Sequence, residues 1–290
     1  MAAAAGHPVR LAERDTRLGG VLRTAAVGPA RQRMARLADW LEAECRLLGV
    51  ALETGTSISA ADLDAARATG TEVILATGSR PAPRRVPRST TEAGNPAATD
   101  GAGDATTADA ADDAAGMANA LAVLAGAALP DGPVVVHDPV GGPVGVAVAE
   151  WLAAAGRQVA IVSPDQVIGT QLSLSGDLAD ANVRLQRAGV ACERRSLLRA
   201  AGGGTALLED AWTGEQRRVG CAVLIDCGHR LPDEELYQLR PGTARAGDCV
   251  APRSVYEAVL EGRRAAQALR AGPGPEPAAA AAGFTAARSR

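Results

Sequence analysis

Residues 134–163 read VVVHDPVGGPVGVAVAEWLAAAGRQVAIVS, and the fold class follows from that pattern. Val134, Val135 and Val136 form a short β-branched run, as a parallel strand buried on both faces requires. Residues 137–143 then hold Pro139, Gly141, Gly142 and Pro143, which stop any regular element. From Val144 the period changes. Val144, Val148, Trp151 (or Leu152) and Ala155 recur at helical spacing and make one apolar face. Gly156 is placed to close that helix in a left-handed conformation, and residues 158–162 form a second strand. Strand, glycine-rich turn, helix and strand make one βαβ unit, the building block of nucleotide-binding sheets.

The whole chain has 290 residues, a length that suggests about two domains. Aromatic residues are only 2% of it, so the core is built from Ala, Val and Leu. Every basic residue is Arg and none is Lys. With so much Ala and Gly, this reads as codon bias in a GC-rich genome. A net charge of −3 is too small to argue for nucleic acid or a membrane as partner. The five cysteines, Cys45, Cys192, Cys221, Cys227 and Cys249, form no CxxC pair, so neither a zinc site nor a dithiol centre is indicated. Their scatter suggests reduced, buried thiols in a cytoplasmic protein. No apolar run reaches membrane-spanning length, and the N-terminal stretch lacks signal-peptide character.

On either side of the central unit the chain continues the same theme. Residues 9–13 alternate and end on Glu13, which is either a ribose-binding carboxylate or a surface acid at a strand end. Gly19 and Gly20 could admit a ligand or make a plain turn. A helix spans 31–48 with Met34, Leu37, Leu41, Cys45 and Leu48 on one stripe, and Gly49 ends it. Residues 50–53 and 72–76 are strands, the latter running into Ala76, Thr77 and Gly78. Residues 84–115 are Ala, Thr, Asp, Gly and Pro with almost no large apolar side chain. That stretch reads as a disordered linker, and its acids as solvated, not metal-binding. A helix is expected over 117–128, another over 177–188, a small meander between 195 and 219, and a buried strand over 222–225. Residues 226–232, DCGHRLP, echo 76–81, ATGSRP: each follows an apolar strand with two residues, a glycine, one residue and Arg, then a proline within two positions. Gly247 and Asp248 precede a helix that Pro252 is placed to start. His137 and His229 read as structural, Cys227 and Cys249 as small buried thiols, and the tail 273–290 as disordered. No residue is a convincing catalytic acid or base.

In order and spacing, Glu13, Leu18-Gly19-Gly20, Ala76-Thr77-Gly78, the second βαβ unit and Gly247-Asp248-Cys249-Val250-Ala251-Pro252-Arg253 carry a family likeness. The chain resembles the C-terminal half of NADH:flavin oxidoreductases of the 2,4-dienoyl-CoA reductase and trimethylamine dehydrogenase type. Residues 136–143 and 226–232 resemble most the actinobacterial branch associated with the mycofactocin system. The likeness covers nearly all of the chain except 84–115 and the tail.

The resemblance implies an α/β fold with two Rossmann-like dinucleotide-binding domains of the two-domain flavoprotein-reductase type, the first lacking its N-terminal strand and glycine loop. Residues 1–83 and 240–272 would be an incomplete FAD-binding-like domain, and 116–239 an NAD(P)-binding-like one. Glu13 would hold the FAD ribose, Gly19 and Gly20 would pass near the flavin, and Ala76, Thr77 and Gly78 would be the crossover turn. Gly247 would approach the pyrophosphate and Asp248 would accept a ribityl hydroxyl. Gly141, Gly142 and Gly145 would approach NAD(P)H. FMN and an iron–sulfur cluster would belong to an N-terminal barrel that this chain does not contain. The second turn departs from G-x-G-x-x-G: Asp138 stands near a close-approach position, and Ser163, not an acid, ends the second strand, so this site either prefers a 2′-phosphate cofactor or has lost dinucleotide binding and kept the fold. The implied role is the reductase portion of an FAD-dependent NAD(P)H:flavin oxidoreductase. The alternative is a non-catalytic module, or a subunit docking on a barrel-bearing partner, that binds nucleotide weakly or not at all.

Overall fold

The computed structural model describes residues 1–29, 31–83, 86–87 and 117–269. The predicted linker lies outside them except for Val86 and Pro87, and the predicted tail lies outside them altogether. In chain order the elements are β1 (Arg10–Glu13), α1 (Gly20–Ala25), α2 (Arg33–Leu47), β2 (Ala51–Thr54), α3 (Ala60–Ala68), β3 (Ile74–Leu75), β4 (Ser79–Pro81), β5 (Met117–Asn119), α4 (Ala120–Leu124), β6 (Val134–His137), α5 (Pro143–Ala154) and β7 (Val159–Val162). They continue with α6 (Leu178–Arg187), β8 (Ala191–Glu193), β9 (Ser196–Gly202), β10 (Thr205–Asp210), β11 (Gln216–Gly220), β12 (Val223–Asp226), β13 (Arg230–Pro232), α7 (Glu235–Leu239), β14 (Ala244–Arg245) and α8 (Val255–Ala268).

Two compact units result. The first comprises Met1–Leu18, Asp39–Gly78 and the described residues from Pro232, the second Gly19–Ala38 and Ser79–Leu231. The second is organised around the predicted βαβ unit. Its sheet has the order β5-β12-β6-β7-β8 and every pairing in it is parallel. Strand side chains alternate between faces. Val134, Val136, Val159, Ile161, Val223 and Ile225 pack with Val123, Val148, Leu152 and Leu185 of the helices. Val135, Val162 and Leu224 pack instead with Ala206 and Leu208 of the antiparallel sheet β11-β10-β9. Val86 adds to that second cluster. Burial on both sides explains why residues 134–136 carry no polar alternation.

Helix α5 is buried almost all round. Pro143 starts it, as its missing N–H permits. Its outer side is covered by the chain at Gly28, where a Cβ would lie 2.6 Å from that of Ala147. Near its C-terminal end, Glu150 faces Arg31 and Arg184.

The first unit is built differently. β1 pairs with β2 and β3 with β14, both parallel. Among its described apolar residues only Leu63, Leu75, Ala246 and Cys249 are buried. Ser59 and Asp62 form a capping box that starts α3. Farther along that helix Asp64 pairs with Arg240, and Arg67 donates to Thr243 Oγ1 at 2.9 Å. The helix therefore ties to the stretch that leads into β14.

Some expectations change. The 117–128 segment opens as an edge strand, because Met117–Asn119 pairs with β12, and only then turns helical. Asn119 makes the switch: its side chain accepts from the N–H groups of Leu121 (2.9 Å) and Ala122 (3.4 Å). Replacing Asn119 by Ala should cost about 1 kcal/mol, measurable by urea denaturation. The last helix starts at Val255 with Ser254 as its N-cap, not at Pro252. The stripe on α2 is only partly covered, with Leu41 and Leu48 exposed. The echoed turns prove to be partners, since β4 and β13, which form their last three residues, pair with each other.

Candidate functional site

In a parallel sheet, ligands sit beyond the C-terminal ends of the strands. In the first unit those ends carry Glu13 as the last residue of β1, Ala76, Thr77 and Gly78 after β3, and Ala246, Gly247 and Asp248 after β14. The register Leu75↔Arg245 brings the last two groups side by side. Thr77 Oγ1 donates to the Asp233 carbonyl at 2.7 Å, and Asp233 N–H donates to the Gly78 carbonyl at 3.0 Å. That exchange fixes the crossover turn. Gly78 has φ +81°, with nothing within 4 Å of where a Cβ would stand. Gly247 has φ +78°, and its N–H donates to Glu261 Oε2 at 2.8 Å. Arg245 steadies the same turn: it donates to Glu234 at 2.7 Å and to the Cys249 carbonyl at 3.2 Å, and stacks 3.7 Å from the Tyr237 ring. Glu13 receives the Asp15 N–H at 3.0 Å. Thr77, Gly78, Gly247, Asp248 and Glu13 are all half-buried.

Cys249 is a buried thiol whose Sγ lies 3.2 Å from the carbonyls of Leu75 and Ala246, in keeping with a structural role. Gly19 and Gly20 fall in the second unit, at the head of α1. Gly19 has φ +111°, and a Cβ there would meet Arg23 and Ala38. That glycine is required by local packing.

In the second unit the ends of β6 and β7 are closed. Gly141, Gly142 and Gly145 are all buried. Asp138 follows β6, is 1% exposed, and its Oδ1 accepts from Gly141 N–H at 2.9 Å and Val140 N–H at 3.2 Å. Its Oδ2 is buried without a hydrogen-bond partner. Burial pushes this carboxyl up to about 6; the N–H groups of Gly141, Val140 and Gly142 oppose the shift and Asp165 adds to it. Ser163, after β7, is 0% exposed. Its N–H donates to the Glu193 carbonyl and its carbonyl accepts from Ser196 N–H, so the start of β9 is built over it. His137, at the end of β6, places Nδ1 3.9 Å from Asp226 Oδ1, while His229 is exposed. Among the described residues no cluster of three or more His, Cys, Asp or Glu is arranged to hold a metal ion, and no helix is long and apolar enough to cross a membrane.

The role of Asp138 is only half visible in the sequence. An acid in a glycine-rich turn is a signal, but only the folded turn shows its amides bonded to that acid. The buried pair Arg31 and Glu150, 119 positions apart, gives no sequence signal.

Comparison with known proteins places these sites in context. No family model matches the sequence. The N,N-dimethylglycine/sarcosine dehydrogenase of Chromohalobacter salexigens is 28% identical over 302 residues, covering 91% of this chain and 41% of its own length. The chain thus spans about two fifths of that curated relative. Histamine dehydrogenase from Rhizobium sp. 4-9 superposes with a TM-score of 0.77 at 22% identity, over 95% of this chain and 43% of that one. Thioredoxin reductase of T. acidophilum superposes with a TM-score of 0.60 at 13% identity, over 92% and 90% of the two chains. At these identities the structural likeness is one of fold: two dinucleotide-binding units of the flavoprotein-reductase type.

Proposed function

We propose that this chain is the counterpart of the C-terminal half of a NADH:flavin oxidoreductase of the trimethylamine dehydrogenase type, and that it is the dinucleotide-handling portion of a flavin-dependent oxidoreductase. The observation that carries this is the contrast between the half-buried strand ends at Glu13, Thr77, Gly78 and Gly247 in the first unit and the buried turn after β6 in the second. The first unit would hold FAD, which supplies a reversible acceptor of two electrons. The residues there suit an adenine dinucleotide. The Glu13 carboxylate can accept two ribose hydroxyls. The glycine turn at Gly78 lets backbone approach without a Cβ, and Asp248, beside Gly247, can accept a sugar-chain hydroxyl. Thr77 holds the crossover turn in place, with Ala76 preceding it. Gly19 serves local packing against Arg23 and Ala38, while the backbone at Gly20 is open to a ligand.

The fuller reading has hydride passing from NAD(P)H on the second unit, beside Gly141, Gly142 and Gly145, to FAD, and electrons going on to a flavin barrel carried by a partner or a same-family subunit. The second reading is a module whose second unit binds nucleotide weakly or not at all. Asp138 favours the latter for that unit, because a carboxylate at a helix head repels phosphate. The test is direct. Purified protein should carry flavin absorption bands, and Glu13→Gln should weaken FAD binding about tenfold in a fluorescence titration. A colourless protein that takes up no FAD defeats the redox reading. Unchanged affinity in Glu13→Gln removes Glu13 from the site.

A further inference from the structure

The βα turn of the second unit has the parts of an anion site: the N–H groups of Val140 and Gly141, and behind them the head of a twelve-residue helix. Those parts are already in use. We propose that Asp138 is a built-in occupant of this seat, taking the hydrogen bonds and the space that a bound phosphate would take, so that the unit keeps a dinucleotide-binding fold with its phosphate site closed from within.

Three observations support this beyond the helix head itself. The first is that Asp138 Oδ2 is buried without a partner and points into the first turn of α5. A Cβ on Gly145 would stand 2.5 Å from it. Gly145 is an ordinary helical residue, absent from the positive-φ glycines, so glycine is needed there for room and not for conformation. A second acid, Asp165, closes the other side: a Cβ on Gly141 would lie 2.8 Å from Asp165 Oδ2 and 3.3 Å from Thr170 Oγ1. Two carboxylates therefore flank the amides. Finally, the position after β7, where a dinucleotide's ribose is recognised, is Ser163, fully buried under β9. Phosphate end and ribose end are both filled by the chain's own residues. The inference deepens the second reading of the second unit but does not depend on flavin binding by the first.

The test uses the full chain and inorganic pyrophosphate as probe, read at the amide NMR signals of Val140, Gly141 and Gly142. In the parent these signals should not respond in a saturable way. In Asp138→Gly, which empties the seat, they should, with affinity at least tenfold above any binding by the parent. Asp138→Asn keeps the shape and removes the charge, and should fall between the two; it also serves should the glycine variant fail to fold. Gly145→Ala should destabilise the parent but be tolerated in the Asp138→Gly background. Saturable pyrophosphate binding at 140–142 in the parent overturns the proposal. So does a folded Asp138→Gly protein that gains nothing, or an equal cost of Gly145→Ala in both backgrounds. Flavin content of the same samples reports separately on the redox reading: a colourless protein whose Asp138→Gly variant gains pyrophosphate retires that reading and leaves this one standing.

Discussion

Replacing Glu150 by leucine is expected to destabilise the second unit by about 3–5 kcal/mol, because it strands a buried charge. Glu150 is 5% exposed and Arg31 8%. Arg184 donates to Glu150 at 2.6 Å and reaches Asp177 with two bonds of 3.0 Å, while Arg31 lies 3.5 Å from Glu150 and 3.8 Å from Asp177. Two cations and two anions balance. Removing Glu150 leaves Arg31 facing Asp177 alone, with one guanidinium nitrogen that already lacks a hydrogen bond. Burial lowers the Arg31 pKa, against the pull of Glu150 and Asp177, which marks this cation as the poorly solvated member. The two substitutions should therefore be unequal. Arg31→Met leaves Glu150 paired with Arg184 and should cost much less. Adding Arg31→Met to Glu150→Leu should recover most of the loss. Urea denaturation of the four proteins measures this, and equal single-mutant costs would show that the cluster does not work as described.

The second large effect is a pH dependence. Asp138 titrates at about 6 in the folded protein, against an ordinary 3.8. Between those values the folded state keeps a proton that the unfolded chain has lost. Stability from this group is therefore full below pH 3.8 and falls as pH rises to 6, by about 3 kcal/mol in all. The amide introduced by Asp138→Asn cannot titrate. Stability of that variant relative to the parent should rise by the same amount between about pH 4 and about pH 8. Taking the difference cancels every other titrating group. A flat difference would mean that the carboxyl ionises as if in water.

The second unit is legible in the sequence because its signals agree with one another. Val134, Val135 and Val136 have no polar partner face, Pro143 can only begin a helix, and Gly156 ends one. Short strands are harder. Met117–Asn119 and Ala191–Glu193 become strands only because a neighbour offers a ladder, and nothing within three residues announces that. In the first unit, Glu13, Thr77 and Gly247 stand at readable strand ends, yet the stripe on α2 promises more burial than Leu41 and Leu48 receive. Asp138 is recognisable as an anomaly by its type. Whether it repels a ligand or replaces one depends on Oδ1 lying 2.9 Å from the Gly141 N–H, a distance that residue spacing does not encode.

The strand order has a further consequence, for the chain while it is being made. β12 lies between β5 and β6 in the sheet but is preceded in sequence by the whole β9-β10-β11 meander. On the ribosome, β6 therefore emerges with one ladder edge open, and residues 223–226 arrive only after about ninety further residues have been translated, the gap between Val134 and Val223. During that interval three valines offer unpaired backbone to any other strand. Nascent chains stalled short of residue 223 should self-associate, and those released beyond it should not.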